Sequence, residues 1–153
     1  MTDPRTTLAR ICLELNHEAA RYLLIGSRAL QLWGSSTAAL DIEVLIEPTP
    51  ANAERVLRGL RRAGFGFARD WLAAEVAERQ VTVLGTVPRV DLLTVACGVR
   101  YRHAALSAHP FLIEGVTIPT ASLEDLIATK HTGRPEDAAE IILLEEIRRL
   151  KAG

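Results

Sequence analysis

Leu23-Leu-Ile-Gly-Ser-Arg-Ala-Leu-Gln-Leu-Trp-Gly-Ser-Ser-Thr-Ala-Ala-Leu-Asp-Ile-Glu-Val-Leu-Ile46 reads as an apolar strand, a Gly-Ser turn, a short helix, a loop and a second strand with Asp41 and Glu43 in its first half. Side chains alternate across a strand, so Asp41 and Glu43 share one face while Ile42, Val44 and Ile46 share the other. Two like charges at that spacing repel. Burying them without a cation costs on the order of several kcal/mol, so the pattern suits a hard-metal site or a solvated edge. Gly26 lets backbone approach a ligand closely, and the start of the helix after it favours an anion, so a phosphate can sit at Gly26-Ser27.

The chain around this stretch has 153 residues, 48% hydrophobic and 24% charged, enough for one core with a charged surface. It is expected to form a single α/β (α+β) domain over 1–153, with a core from 22 to 118 and a C-terminal helical part from 122 to 151. No run reaches the ~18 apolar residues of a membrane span. Met1-Thr-Asp-Pro-Arg5 lacks the apolar centre of a signal peptide, which points to the cytoplasm. Cys12 and Cys97 make no metal spacing and read as buried thiols. A net charge of -1 gives no polyanion coat, so a nucleic-acid partner needs a local basic patch.

Asp3-Pro4 predicts a helix cap and first turn, and Leu8, Ile11, Cys12 and Leu15 keep the spacing of one buried helical face. Tyr22 to Ile25 is the first strand. Pro48 and Pro50 close the acidic strand. A helix follows from about Ala51, with Ala53, Val56, Leu57 and Leu60 inward and Arg55, Arg58, Arg61 and Arg62 outward. That arginine face is either a polynucleotide contact or a solvated face offset by acids. Gly64 to Arg69 alternates like an edge strand, Leu72 to Glu78 reads as helix, and Val81–Leu84 and Arg89–Leu93 read as a hairpin around Gly85-Thr-Val-Pro88. Asp91 is a lone acid among Val90, Leu92 and Leu93. It needs a partner, either a salt bridge or a metal.

Tyr101 to Ala108 reads as a short helix or loop, and His103 as a surface residue or a base. Phe111 to Ile118 predicts a tight hairpin turning at Glu114-Gly115 and ended by Pro119. Ser122, with an acid three residues on, predicts a capped helix. On that helix Leu123, Leu126, Ile127 and Lys130 share one face, so a cation stands on an apolar stripe. Lys130 either snorkels at the helix C-terminus or reaches a phosphate. Gly133 separates this helix from the next, which Pro135 opens, and Arg134 can pair with Asp137.

The order Gly26-Ser27, spacer, Asp41-Ile-Glu-Val44 resembles the nucleotidyltransferase superfamily of DNA polymerase beta. The Leu123-Glu-Asp-Leu-Ile-Ala-Thr-Lys130 helix and the Arg134-Pro-Glu-Asp137 helix start are similar to the tail of small AbiEii-like, minimal nucleotidyltransferase-type proteins. The resemblance covers about 23–144. It implies a nucleotidyltransferase-like fold, a mixed β-sheet with helices packed mainly on one face and C-terminal helices. It implies transfer of an NMP from an NTP to a hydroxyl of an RNA end, a protein or a small molecule, with Mg2+ or Mn2+ as cofactor.

By the same resemblance Asp91 matches a third carboxylate on a neighbouring strand, so Asp41, Glu43 and Asp91 are the expected catalytic and metal-binding acids. Gly26, Ser27, Arg28 and Lys130 are the expected contacts to the nucleotide. Two departures bear on turnover rather than on fold. Thr37-Ala-Ala-Leu40 stands where relatives carry Arg and Thr or Ser, and Glu43 replaces the commoner Asp. The alternative is a degenerate nucleotide-binding or partner-binding module, such as one component of a toxin-antitoxin pair. Neither reading involves a membrane.

Overall fold

The computed structural model describes residues 4–38 and 40–152. Helix α1 (Pro4–His17) buries Leu8, Ile11, Cys12 and Leu15 as its spacing requires. Asp3, its expected cap, lies outside the described residues. Strand β1 (Tyr22–Ile25) passes straight into helix α2 (Gly26–Trp33), and Gly34 in a left-handed conformation closes that helix. Strand β2 (Ile42–Ile46) begins one residue after Asp41, not before it. The ladder opens where the Ile42 amide donates to the Arg89 carbonyl, which leaves Asp41 at the strand's mouth.

Helix α3 (Pro50–Arg62) starts from Thr49, whose hydroxyl accepts from the Asn52 amide, and buries Ala53, Val56, Leu57 and Leu60. Gly64 to Arg69, expected as an edge strand, forms none, and Gly66–Asp70 is a 3-10 turn. Gly64 at φ 103° ends the preceding helix, and the Ala68 amide returns to the Phe65 carbonyl, so local bonds use the groups a strand would leave for a neighbour. Helix α4 (Ala73–Glu78) follows. Strands β3 (Val81–Leu84) and β4 (Val90–Leu93) form the expected antiparallel hairpin.

Helix α5 (Tyr101–Ala104) and a 3-10 turn occupy 101–107, and His103 is exposed. Strands β5 (His109–Ile113) and β6 (Val116–Thr120) turn at Glu114 and Gly115, which have φ 49° and 79°. Pro119 does not end β6. It lies opposite Pro110, so neither proline is asked for the N–H it lacks on that rung. Ser122 caps helix α6 (Leu123–Thr129) by accepting from the Asp125 amide, and helix α7 (Pro135–Ala152) closes the chain.

The strand order β3-β4-β2-β1-β6-β5 makes one open, mixed sheet of six strands. Pairs β2–β4 and β1–β6 are parallel and the others antiparallel. With seven α-helices among the described residues, the last two C-terminal, this is an α/β protein. Tyr22, Leu24, Val44 and Ile46 are buried on one face of the central strands, and Leu23 and Leu45 on the other, so cover is not confined to one face. Among the described residues no helix is long and apolar enough to cross a membrane.

Three of the four arginines on the outer face of α3 are paired within the molecule, and the fourth, Arg55, is exposed. Arg62 Nη1 and Nε reach Glu18 and Glu14 of the α1 region at 2.9 and 3.3 Å, Arg58 Nη1 reaches Glu18 at 3.3 Å, and Arg61 Nη2 reaches Glu54 at 3.2 Å. Hydrogen bonds from Arg62 hold the Glu18 carboxyl below its usual range, with Arg58 adding to the effect. These pairs favour the reading of a solvated face offset by acids over that of a polyanion contact.

Candidate active site

Register brings the acids together. β2 and β4 run parallel with Glu43 directly opposite Asp91, so both side chains leave the sheet on the same face. Asp41 lies two residues before Glu43 at the strand's opening, outside the ladder. Arg89, at the entrance to β4, lies between two of the three: its Nε stands 3.1 Å from Asp91 Oδ1 and 3.8 Å from Asp41 Oδ2, and its Nη2 donates to Asp91 Oδ2 at 3.1 Å. The lone acid of the second hairpin strand thus has a partner that sequence spacing did not single out. Asp91 is nearly buried, whereas about half of each of the Asp41 and Arg89 side chains faces water.

Glu43 is held differently. Its carboxylate lies under the β1–α2 junction, where a Cβ on Gly26 would come within 2.8 Å of Glu43 Cδ and 2.9 Å of Oε1. Gly26 also has φ 72°, which glycine adopts without strain. Its expected purpose, close backbone approach to a ligand, is used here by the protein's own carboxylate. Burial raises the Glu43 pKa above its usual value. Asp91 and Glu140 push the same way, and Lys130 and Arg89 pull against them.

Lys130 follows the last residue of α6, and its ammonium contacts α7: Nζ is 2.7 Å from Glu140 Oε2 and 3.8 Å from Asp137 Oδ1. The field of Lys130 also acts on Glu43. At the C-terminal end of α6 the ammonium is therefore paired with acids of α7 rather than snorkelling into water. Arg134 Nε pairs with Asp137 at 2.8 Å, as the spacing predicted, so the tail is a braced network of Lys130, Arg134, Asp137 and Glu140. Glu140 was not foreseen. Its only sequence signal is its place one helical turn after Asp137 on the same face.

Ser27 is half-buried, and Ile25 at the N-cap position of α2 has no side-chain group to cap it. The N–H groups of that first turn carry the positive end of the helix dipole. Arg28 is buried on α2. Its buried guanidinium donates to Gln31 Oε1 at 2.9 Å and to the Leu40 carbonyl at 3.3 Å, and it lines a cleft of about 390 Å3 with Leu8, Gln31, Leu32 and Ile113. What Arg28 does for the site is indirect: it ties α2 to the loop that delivers Asp41.

Oxygen donors on one sheet face are the right chemistry for a hard divalent ion. They are not assembled as a ligand set, since among the described residues no three His, Cys, Asp or Glu side chains group closely enough to hold a metal. Between Asp41 and Asp91 the cation is the Arg89 guanidinium. Comparison of the chain with models of known protein families finds no match, and comparison with curated proteins finds none.

Proposed function

We propose that this chain is a nucleotidyltransferase of the DNA polymerase beta type, which moves a nucleoside monophosphate from an NTP to a hydroxyl acceptor. The observation that carries the reading is the in-register pair Glu43–Asp91 on parallel strands, with Asp41 at the same mouth and the uncapped start of α2 beside them. The six-strand mixed sheet and the C-terminal helix pair agree with a nucleotidyltransferase-like architecture. In that reading Asp41, Glu43 and Asp91 would hold Mg2+ or Mn2+. When bound, the ion offsets negative charge that gathers on the transferring phosphoryl group.

The chain's own residues supply the rest. Gly26 and Ser27 offer backbone N–H groups and a hydroxyl to the outer phosphates. Lys130 adds positive charge on the side toward Glu43, where departing pyrophosphate needs it. The new P–O bond forms at the α-phosphorus as the bond to pyrophosphate breaks. The acceptor class stays open among an RNA end, a protein and a small molecule, because fold does not select it.

A second reading has an observation in its favour. Arg89 and Lys130 are both already ion-paired with acids of this region, as in a degenerate module that binds a nucleotide or a protein partner, for example within a toxin-antitoxin pair. Incubation with each labelled NTP, Mn2+ and total RNA or lysate separates the two. Label transferred by the wild type and lost in Asp91→Asn supports the enzyme. NTP binding without transfer supports the module.

A further inference from the structure

We infer that the acidic mouth and the apolar side chains around it form one docking surface for a protein partner, a basic segment that also carries aliphatic side chains. The inference deepens the second reading above, that of a partner-binding module, and rests on it rather than on nucleotide transfer. Its basis is a single rung of the sheet. Val83 on β3 lies opposite Asp91 on β4, which lies opposite Glu43 on β2, so the three side chains leave one face in a row. The Thr94 amide donates to the Gln80 carbonyl, which makes Val83–Asp91 a rung without backbone hydrogen bonds, the kind in which facing side chains come closest.

The inner end of this row is acidic and the outer end apolar. Val83 is 48% exposed, and Val81, next to it on the same face, is exposed as well. Val87 in the β3–β4 loop is 91% exposed, and Leu40, the residue before Asp41, is 52% exposed. Both belong to the end of the sheet where the parallel strands β2 and β4 begin. Single exposed aliphatic residues are ordinary, but four around one mouth make a patch. Charge decides which partner fits it. Asp41, Glu43, Asp91, Asp137 and Glu140 outnumber Arg89, Lys130 and Arg134 around the site, so a phosphate backbone or an anionic membrane is repelled and a cationic partner is drawn in. Arg89 displays the pairing chemistry within the chain, a guanidinium on both oxygens of Asp91. From β3 to β2 is two strand spacings, about 10 Å, so the surface is wider than a small organic cation and suits a polypeptide.

NMR titration of the full, isotope-labelled chain with three synthetic peptides of equal length tests this: alternating Leu and Arg, alternating Ser and Arg, and alternating Leu and Glu. The Leu/Arg peptide is expected to bind and to shift the amides of Leu40, Val81, Val83 and Val87. The Ser/Arg peptide should bind about tenfold more weakly, and the Leu/Glu peptide should not bind. Val83→Ser and Asp41→Asn should each weaken the Leu/Arg peptide about fivefold or more, whereas Leu150→Ser, at an exposed position of α7, should leave it unchanged. Should Val83→Ser fail to fold by circular dichroism, Val87→Ser takes its place. Equal affinity for the Leu/Arg and Ser/Arg peptides, unmoved by the valine variant, means adventitious charge attraction only and overturns the docking surface. Shifts centred on another face overturn it as well and leave the module reading standing. No binding of the Leu/Arg peptide overturns the inference, and label transfer from an NTP that is lost in Asp91→Asn then removes the module reading with it.

Discussion

The space that a Cβ on Gly26 would need at the start of α2 is held by the carboxylate of Glu43 on β2. A glycine that reads as a phosphate-binding signal is also a packing requirement of the acid beside it. Gly26→Ala therefore meets two penalties, a positive φ and a displaced carboxylate. We expect a loss of about 1–2 kcal/mol in urea unfolding. In a Glu43→Ala background only the backbone part should remain, so the double-mutant cycle should show coupling. Additive losses would mean that the carboxylate yields freely.

Glu43 also sets a pH dependence. Burial, reinforced by Asp91 and Glu140, raises its pKa in the folded chain, so its stabilising contribution is complete below the unfolded value of 4.5 and is lost as pH rises through the higher folded value. Ionised Glu43 thus weakens the metal-free protein at neutral pH. Glu43→Gln should melt above the wild type at about pH 8, and the gap should close near about pH 4. A constant gap in differential scanning fluorimetry across that range would contradict it.

Asp137 has the opposite sign. Burial tends to raise its pKa, but the Thr132 hydroxyl, Lys130 and Arg134 together outweigh burial and hold it below 3.8. Its contribution is present above the unfolded pKa and is lost as pH falls through the folded one. Asp137→Asn should be destabilised at neutral pH and should approach the wild type in strong acid, as read from thermal melts along a pH series.

Lys130→Ala removes the cation facing Glu140 and Asp137, all three of them largely buried or half-buried. Leaving those acids without it should cost about 2–4 kcal/mol, and Lys130→Ala/Glu140→Ala should lose less than the sum of the single variants. Chemical denaturation measures both. If the NTP also depends on Lys130, calorimetry at a temperature where the variant is folded should show weaker NTP binding.

The two thiols should separate in reactivity. Cys12 is buried as expected and its pKa is pushed up to about 12 by that burial, while Cys97, expected to be buried as well, is exposed in a loop with a left-handed φ of 46°. Titration of the native protein with a disulfide reagent should modify one thiol quickly, and unfolding in guanidinium should release the second.

Much of this arrangement was legible in the residues. β1, the helix after Gly26, the β3–β4 hairpin, the Glu114-Gly115 turn and the Ser122 cap follow from period, turn chemistry and capping, which act over a few residues. Gly64 to Arg69 misled because its alternation came without a neighbouring strand to pair with. Pro119 misled because the residue opposite it is also a proline, a fact of register. Asp41, Glu43 and Asp91 could be named from their pattern, but not Arg89 between two of them nor Glu140 beside Lys130. Those contacts depend on which strands adjoin and on how α7 returns to α6. Arg28, adjacent to Gly26-Ser27 in sequence, donates to Gln31 and to the Leu40 carbonyl, and the second of these depends on how the loop after α2 returns.

The parallel pairing of β2 with β4 bears on how the protein comes into being. Parallel neighbours cannot be joined by a tight turn, and here the residues 47–89 intervene, with two helices and a strand among them. Contacts so distant along the chain form late and slow the search for the native state. During synthesis Asp41 and Glu43 leave the ribosome before Arg89 and Asp91, and Lys130 and Glu140 follow later still. A chain arrested before β4 therefore exposes a half-built acidic strand whose missing neighbour is an open edge, and chaperones or a misplaced strand would meet that edge first.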